Sequence, residues 1–381
     1  MPIPRRSFVL GSTALGAGAS LGLVASPAHA AVRGPVVVAS APAGRRAYFA
    51  DMIRLQDGRL LVAYREGSGH ISQDGRLMTV VSADEGRTWS APRVALDAAV
   101  DDRDPKLVQL RDGTVLMNFF RTDWTGYPKG KATLIGTFVS RSTDGGTTWS
   151  SPVQVGSAMN ERRGIAWKIY NAGLAASHGP IVELPDGDLL VPLYGVMPDG
   201  VDCPASVVRS TDGGLTWPAS GESFIGRHMG LELQEPNLTV LRHGLVVAII
   251  RTSTVSAHIS WSRDGGRTWS LPRDTGLKAS SHHQLLTRSG DILLTYGDKS
   301  GQFGPGRPTV GRLLQHPESG VDAKRDVLLY DAARNGPATD DQANPSSVEL
   351  SPNRFFTVTS DPHLASVVGV WSDRVDYVRM S

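Results

Sequence analysis

The chain has 381 residues, 40% of them hydrophobic, with 39 basic and 37 acidic side chains. This balanced charge, without a polybasic run, argues against nucleic acid or a membrane surface as a partner. The only cysteine, Cys203, excludes an internal disulfide, so a hydrophobic core must supply the stability.

The first thirty residues predict an export signal. Arg5 and Arg6 precede an apolar run rich in Ala, Gly, Leu and Val, and residues 28–30 (Ala-His-Ala) offer a cleavage site of small residues. This order is typical of twin-arginine signal peptides. A membrane anchor is the alternative, but the run is short and rich in Gly and Ser, and no other segment is long and apolar enough to span a bilayer. We expect residues 1–30 to be removed and residues 31–381 to form one secreted, monomeric domain.

Six segments of the remaining chain each predict a β-hairpin, because an apolar stretch, a tight turn and a second apolar stretch follow one another. The segments are Ile53–Tyr64, Leu107–Phe119, Ile181–Leu193, Leu238–Ile250, Leu285–Tyr296 and Val348–Thr359. Their turn residues lie 46 to 74 residues apart and are Gly58, Gly113, Gly187, Gly244, Gly290 and Asn353. This period suits a four-stranded blade, so the sequence predicts an all-β, six-bladed β-propeller. We expect Val36–Ala39 to pair with strands around Val367–Trp371 and close the ring.

A second repeat falls within the first four hairpin units. Its copies are Ser82–Ser90, Ser142–Ser150, Ser210–Pro218 and Ser262–Ser270, with the pattern S-x-D-x-G-x-T-W. The aspartate can accept hydrogen bonds from nearby backbone N–H groups, the glycines permit positive φ, and the tryptophan can pack between strands. We therefore interpret these Asp-box turns as structural fasteners.

Polar and ionisable residues precede the innermost strand of each predicted blade, where a propeller approaches its axis. They are Tyr48 and Asp51, Arg103 and Asp104, His178, Gln234 and Glu235, His282 and His283, and Asn344. Such a ring favours a site for a polar ligand in an axial pocket. After residue 30, no His-x-x-x-His spacing, phosphate-binding loop or Gly-x-Ser-x-Gly motif occurs, so we expect neither a metal nor a cofactor.

Asp-box turns on six hairpin units resemble the sialidase superfamily, over essentially the whole chain after the signal. Glu235-Pro236, followed by Arg251, resembles the Glu-Pro and arginine of that family's fourth blade. Arg307, in Gly306-Arg307-Pro-Thr-Val-Gly-Arg312, resembles one arginine of its carboxylate-binding triad. Asp74, in the loop after the first hairpin and near Glu66 and His70, is the closest match to its general acid.

Two positions depart from the family pattern. Tyr48-Phe49-Ala50-Asp51 lacks the first triad arginine, unless Arg45 or Arg46 reaches in, and Gln342-Ala-Asn344-Pro345 lacks the nucleophilic tyrosine. A phenol nucleophile and three arginines suit a sugar that carries a carboxylate at its anomeric carbon. These two departures argue against a conventional sialidase activity.

The resemblance implies an exo-acting glycoside hydrolase for a terminal, acidic sugar of a glycan. Asp74 would be the general acid, Glu235 the nucleophile or base, and Arg251 and Arg307 would bind the sugar. Further substrate contacts are expected from Asp51, Arg103, Asp104, His178 and Asn344.

Two alternatives remain open. In a polysaccharide lyase, His178 or His282 would take a proton from a uronate and Tyr48 would act as the acid. In a non-catalytic propeller, the same pocket would bind a glycan without turnover.

Overall fold

The computed structural model describes residues 34–127, 132–160, 175–198, 200–321 and 325–378. The expected signal, residues 1–30, lies outside the described residues. Within the described residues, 23 strands form antiparallel sheets of one compact unit, and the only α-helix is the short α1 (Arg374–Tyr377).

The strands form six blades of four. Blade one contains β2 (Arg46–Arg54), β3 (Leu60–Gly67), β4 (Arg76–Ser82) and β5 (Arg93–Leu96). Blade two contains β6 (Asp101–Gln109), β7 (Val115–Asp123), β8 (Thr133–Ser142) and β9 (Val153–Gln154). Blade three contains β10 (Val182–Glu183), β11 (Leu189–Tyr194), β12 (Ala205–Ser210) and β13 (Glu222–Gly226).

Blades four and five share one long strand, β17 (Arg273–Leu286). Its first half pairs with blade four and its second half with blade five. The other strands of blade four are β14 (Leu233–Val240), β15 (Val246–Thr252) and β16 (Ser256–Ser262). Those of blade five are β18 (Ile292–Asp298), β19 (Thr309–Leu314) and β20 (Val327–Tyr330). All six predicted hairpins are confirmed.

Blade six joins the two ends of the described chain. Its strands are β21 (Ala343–Ser351), β22 (Arg354–Asp361), β23 (Ser366–Asp373) and, as the outermost strand, β1 (Val36–Ser40). Val36 lies opposite Gly369 and Val37 opposite Val368, which confirms the predicted closure. Because β1 covers the edge of β23, the last strand does not expose its hydrogen-bonding groups.

Neighbouring blades bury apolar side chains against each other, so the hydrophobic core is divided among the blade interfaces. Met52 and Tyr64 of blade one pack with Phe356 and Val358 of blade six, for example. Alternate residues of a strand face opposite sides, which lets one strand contribute to two interfaces. Leu61 and Ala63, between the residues that face blade six, pack against blade two.

The Asp-box turns contain the expected hydrogen bonds. In the second copy, Asp144 Oδ1 accepts from the backbone N of Thr148 at 2.9 Å, and Ser142 Oγ accepts from the backbone N of Gly146 at 2.8 Å. Each turn also lies on the preceding blade. A Cβ at the fifth residue of each turn, a glycine in all four copies, would meet that blade at 2.6–3.0 Å. The contacts are Gly86 with Phe356, Gly146 with Leu61, Gly214 with Leu116 and Gly266 with Leu190.

Candidate active site

The inner strands carry a repeated β-bulge near their first residues. In five of the six blades, two residues of the inner strand face a single residue of the second strand. The first residue of each bulge has positive φ, and these residues are Phe49 (54°), Asp104 (51°), Glu235 (47°), Ser281 (48°) and Asn344 (56°). Such a conformation costs a non-glycine residue about 1–3 kcal/mol and is concentrated at functional sites. The bulges turn five side chains toward the axis.

These five residues, with His178 of blade three, form a ring around one cavity. Each lies nine residues before the turn residue of its hairpin. All six line a cavity of about 630 Å³. This volume lies within the range of small-ligand sites. We call these residues the axial ring: Phe49, Asp104, His178, Glu235, Ser281 and Asn344.

Seven of the nine site residues predicted from the sequence line this cavity. Arg251 lies at the end of β15 beside Glu235, and Arg307 lies just before β19. The seven are Arg103, Asp104, His178, Glu235, Arg251, Arg307 and Asn344. Asp51 and Asp74 are not among the lining residues.

Asp51 connects two blades. It is buried, and its Oδ2 accepts a hydrogen bond from the backbone N of Leu107 in blade two at 2.7 Å. The bulge explains the difference from the sequence prediction, because it places Phe49 at the blade-one position of the axial ring. The prediction that Asp51 contacts the ligand is therefore not supported by its position.

Asp74 lies in the loop between β3 and β4, held by local partners. Its Oδ2 accepts from Arg45 Nη1 at 2.8 Å, and its Oδ1 accepts from the backbone N and Oγ of Ser68, each at 3.0 Å. Partial burial opposes ionisation, but hydrogen bonds from Ser68 and Ser72, together with Arg45, lower the pKa of Asp74 to about 2. A carboxyl group with so low a pKa is ionised in the neutral range and is a poor proton donor, so its position and pKa do not favour the predicted role of general acid.

The arginines near the start of blade one do not enter the cavity. Arg45 pairs with Glu66 at 2.7 Å as well as with Asp74, and Arg46 donates to the backbone oxygen of Pro362. Neither lines the cavity. The same loop instead brings His70 into the cavity wall, where it contacts Asp341.

Glu235 is an ionised carboxylate. Burial raises its pKa, but the nearby charges of Arg251 and Arg307 outweigh burial and hold the pKa of Glu235 well below its usual range. Arg251 Nη1 donates to Glu235 Oε1 at 2.6 Å, and Ser281 Oγ donates to Oε2 at 3.2 Å. The carboxylate is thus held by blades four and five and is available as a nucleophile or base.

The pKa of Asp104 is shifted in the opposite direction from that of Glu235. Burial raises its pKa, and the negative charge of Glu235 raises it further, although Arg103 and Lys106 oppose the shift. Its Oδ1 is buried and has no hydrogen-bond partner among the described residues. Two cavity carboxyl groups with pKa values moved in opposite directions are the arrangement of an acid and a base.

Arg307 is a buried cation with neutral partners. Its Nε and Nη2 both donate to the backbone oxygen of Gln342, at 2.8 and 2.6 Å. No carboxylate of the described residues pairs with it within 4 Å, and burial, together with the charge of Arg251, lowers its pKa to about 10. An anion in the cavity would stabilise this guanidinium.

His178 is a neutral imidazole. Burial and the charge of Lys106 lower its pKa to about 3. Its Nε2 lies 3.4 Å from Asn344 Oδ1, and its buried Nδ1 has no hydrogen-bond partner among the described residues. His282, considered with it from the sequence, is outside the cavity wall and contacts the backbone oxygen of Ile249 through Nε2. Tyr48 is also outside it.

Several cavity residues were missed in the sequence. Phe49 and Ser281 could have been found by counting nine residues back from each turn instead of searching for charged side chains. Tyr194, at the end of β11, and Trp124, after β7, carry no such signal because second strands and loops vary between blades. Burial and the charge of Glu235 raise the pKa of Tyr194 well above its usual range, so its phenol is protonated.

Neither a cluster of metal-binding side chains nor a membrane-spanning helix occurs in the described residues. In residues 34–127, 132–160, 175–198, 200–321 and 325–378, no group of three or more His, Cys, Asp or Glu side chains is placed to hold a metal ion. In the same ranges, no helix has the length and hydropathy to cross a bilayer.

The repeated blades identify the family. The BNR repeat-like domain family matches residues 58–328, which is more than half of the chain. The chain belongs to this family. A curated relative, the xyloglucanase Xgh74A of Acetivibrio thermocellus, is 26% identical over 246 residues, or 59% of this chain. The BNR repeat-like chain spans only about a quarter of that relative's length.

Solved structures have the same fold. A protein of unknown function from Dyadobacter fermentans is 23% identical, has a TM-score of 0.74, and covers 88% of this BNR repeat-like chain and 97% of its own. The Hadza microbial sialidase Hz136 is 17% identical and has a TM-score of 0.66. The match covers 87% of this chain and 66% of the sialidase. The NanB sialidase of Streptococcus pneumoniae is 14% identical and has a TM-score of 0.62. The match covers 87% of this chain and 69% of the sialidase. The predicted β-propeller fold is therefore confirmed, and it is the fold of these sialidases.

Proposed function

We propose that this propeller is a secreted glycoside hydrolase that removes a terminal, acidic sugar from a glycan. The observation that carries the proposal is the pair of carboxyl groups in the cavity wall, because their surroundings lower the pKa of Glu235 and raise that of Asp104. Secretion and a monomeric state, both expected from the sequence, belong to the same proposal. Most glycoside hydrolases use such a pair, one group to give a proton and the other to attack or to activate water.

Asp104 takes the role that the sequence assigned to Asp74. Its proton passes to the glycosidic oxygen as the bond to the anomeric carbon breaks. Glu235 either forms a covalent bond to that carbon, which water later hydrolyses, or removes a proton from the attacking water. A separation of roughly 5 Å between the two carboxyl groups favours retention of configuration, and roughly 6.5–9.5 Å favours inversion.

The acidic substrate is supported by Arg307. This buried guanidinium hydrogen-bonds only neutral oxygens among the described residues, so a substrate carboxylate would supply the missing negative charge. Arg251 lies in the same wall, and its bond to Glu235 uses Nη1, which leaves its Nη2 donors available for substrate. Asn344 and Ser281 of the axial ring would contact the hydroxyl groups.

A polysaccharide lyase is the second candidate, favoured by His178. Its neutral ring could accept the proton next to a uronate carboxylate through Nδ1, which has no hydrogen-bond partner in the described part of the chain. Tyr194 would replace Tyr48 as the acid, because its protonated phenol lies in the cavity. Elimination leaves an unsaturated uronate that absorbs ultraviolet light, whereas hydrolysis does not.

The decisive experiment is a screen of chromogenic sialosides, uronides and deoxysugar glycosides, together with ultraviolet detection on uronate polysaccharides. Asp104→Asn and Glu235→Gln should each lower kcat by about 10²–10⁴-fold. Asp74→Asn serves as the control and should keep most of the activity, since Asp74 is outside the cavity. Full activity in Asp104→Asn, or glycan binding without any turnover, would contradict the hydrolase.

A further inference from the structure

Asp101 is a buried carboxylate behind the cavity wall. It lies at the start of β6, is fully buried, and is not a lining residue. Its Oδ1 accepts from Arg65 Nε at 2.7 Å, and its Oδ2 accepts from Arg103 Nη1 at 2.9 Å and from Trp124 Nε1 at 2.8 Å. One carboxylate therefore joins β3, β6 and the segment after β7.

Two of these donors belong to the cavity wall. The guanidinium of Arg103 lies 5.1 Å from the ring centre of Phe49, 5.8 Å from that of Phe120 and 5.6 Å from that of Trp124. A cation among three aromatic rings gains from their π-faces. Asp101 provides its counter-charge from behind, so the charged group and the rings form one fixed wall.

The third donor, Arg65, fixes the loop at the other side. Its side chain is fully buried, with Nη1 donating to the backbone oxygen of Gly69 at 2.9 Å and Nη2 to Ser72 Oγ at 2.9 Å. Arg103 Nη1 also donates to the backbone oxygen of His70 at 2.6 Å. The loop that brings His70 to the cavity is therefore held by both arginines of Asp101.

The backbone of the β3–β4 loop packs closely against this carboxylate at Gly75. A Cβ at Gly75 would lie 1.7 Å from Asp101 Oδ1 and 2.6 Å from Arg65 Nε. Glycine at position 75 is needed for the close approach of the loop to the ion pair.

We propose that Asp101 is a positioning residue, which fixes Arg103 and Trp124 in the cavity wall and sets the electrostatic surroundings of Asp104. This role of Asp101 rests on the proposed function, in which Asp104 gives the proton. The charged or titratable groups that face Asp104 come from five elements: Arg103 and Lys106 from its own strand, Glu235 from β14, Tyr194 from β11, Arg65 from β3 and His70 from the β3–β4 loop. Of these, Arg103 and Arg65 are bound directly by Asp101.

Asp101→Asn removes one negative charge at nearly constant shape. Arg103 and Arg65 then lose their counter-charge, so the positive potential at Asp104 rises and its carboxylate form is favoured. We expect the alkaline limb of the pH profile of kcat/KM to move down by about 1 pH unit, the scale of one nearby charge. KM should also rise, because an amide cannot accept from all three donors.

Asp102→Asn is the matched control. Asp102 is the next residue of the same strand, is fully buried, and pairs with Arg121 Nε at 2.7 Å away from the cavity wall. It should lower stability and leave the pH profile unchanged. If Asp101→Asn behaves in the same way, Asp101 is only a structural residue and the proposal is wrong.

Trp124→Phe tests the positioning if Asp101→Asn does not fold. This variant keeps every charge and the aromatic ring but loses the hydrogen bond to Asp101. We expect a several-fold higher KM with an unmoved pH profile, and an unchanged KM would overturn the positioning of Trp124. Activity in Asp104→Asn would instead refute the proposed function, which separates the two failures.

Discussion

Glu235 and Asp104 together determine the expected pH range of activity. Glu235 must be ionised, and Arg251 and Arg307 lower its pKa against the effect of burial. Asp104 must be protonated, and burial raises its pKa. Activity should therefore fall at low pH as Glu235 takes up a proton and at high pH as Asp104 loses one. In kcat/KM, these two limbs report the free enzyme.

Arg251→Gln should move only the acid limb. Without the charge 2.6 Å from its carboxylate, Glu235 becomes harder to ionise, so the limb should shift upward by about 1–3 pH units. The alkaline limb, set by Asp104, should stay. The measurement is kcat/KM across the full pH range, with Arg209→Gln as control because Arg209 pairs with Asp188 outside the cavity. An unmoved acid limb would remove Glu235 from the mechanism.

Residue roles were only partly predictable from the sequence. Glu235 and Asp104 could be placed at the axis because a strand and its turn fix their position along the chain. The position of Asp74 could not be predicted, since it depends on how a loop folds around Arg45 and Ser68. The orientation of Asp51 was also hidden, because a β-bulge shifts the side to which each following residue points.

At the scale of elements, substitutions at Gly146 and Gly187 measure how much the contact of an Asp-box turn with the preceding blade contributes to stability. Their φ values are nearly equal, 87° and 93°, but a Cβ at Gly146 would lie 2.6 Å from Leu61 Cδ2, while one at Gly187 would meet nothing within 4 Å. Gly187→Ala should cost about 1–2 kcal/mol for positive φ alone. Gly146→Ala should cost about 1–3 kcal/mol more, because buried Leu61 has no room to move.

Chemical denaturation of the two variants checks this difference. Both glycines lie in turns remote from the cavity wall, so kcat of the folded protein should be unchanged in each. Equal losses of unfolding free energy would mean that the Asp-box turn contributes nothing to the contact between blades one and two.

The elements themselves were largely readable in the sequence. Each hairpin follows from alternating apolar residues around a turn glycine such as Gly113, which has a φ of 90°. The continuous strand Arg273–Leu286 could not be predicted from the sequence, because blades four and five share it without a break and no turn marks the boundary. Its division follows only from which neighbours each half pairs with.

At the scale of the whole molecule, the ring depends on contacts between residues far apart in sequence. The interface of blades six and one contains residues from both ends of the described chain, such as Val38 and Trp371. The sequence predicted which segments meet, but not their register, since one apolar strand can pair with another in several alignments. In the structure, Ser40 lies opposite Ser366, and their Oγ atoms are 2.9 Å apart.

A disulfide between positions 40 and 366 should stabilise the closure of the propeller. The double variant Ser40→Cys/Ser366→Cys would join strands β1 and β23, and the crosslink should raise the free energy of unfolding by about 2–4 kcal/mol by restricting the unfolded chain. Thermal unfolding with and without a reducing agent measures the effect, and each single variant is a control for the substitution itself. Because β1 is the outermost strand of blade six, we expect unfolding to begin with its release. Identical unfolding rates in the oxidised and reduced protein would place the first opening at another blade interface.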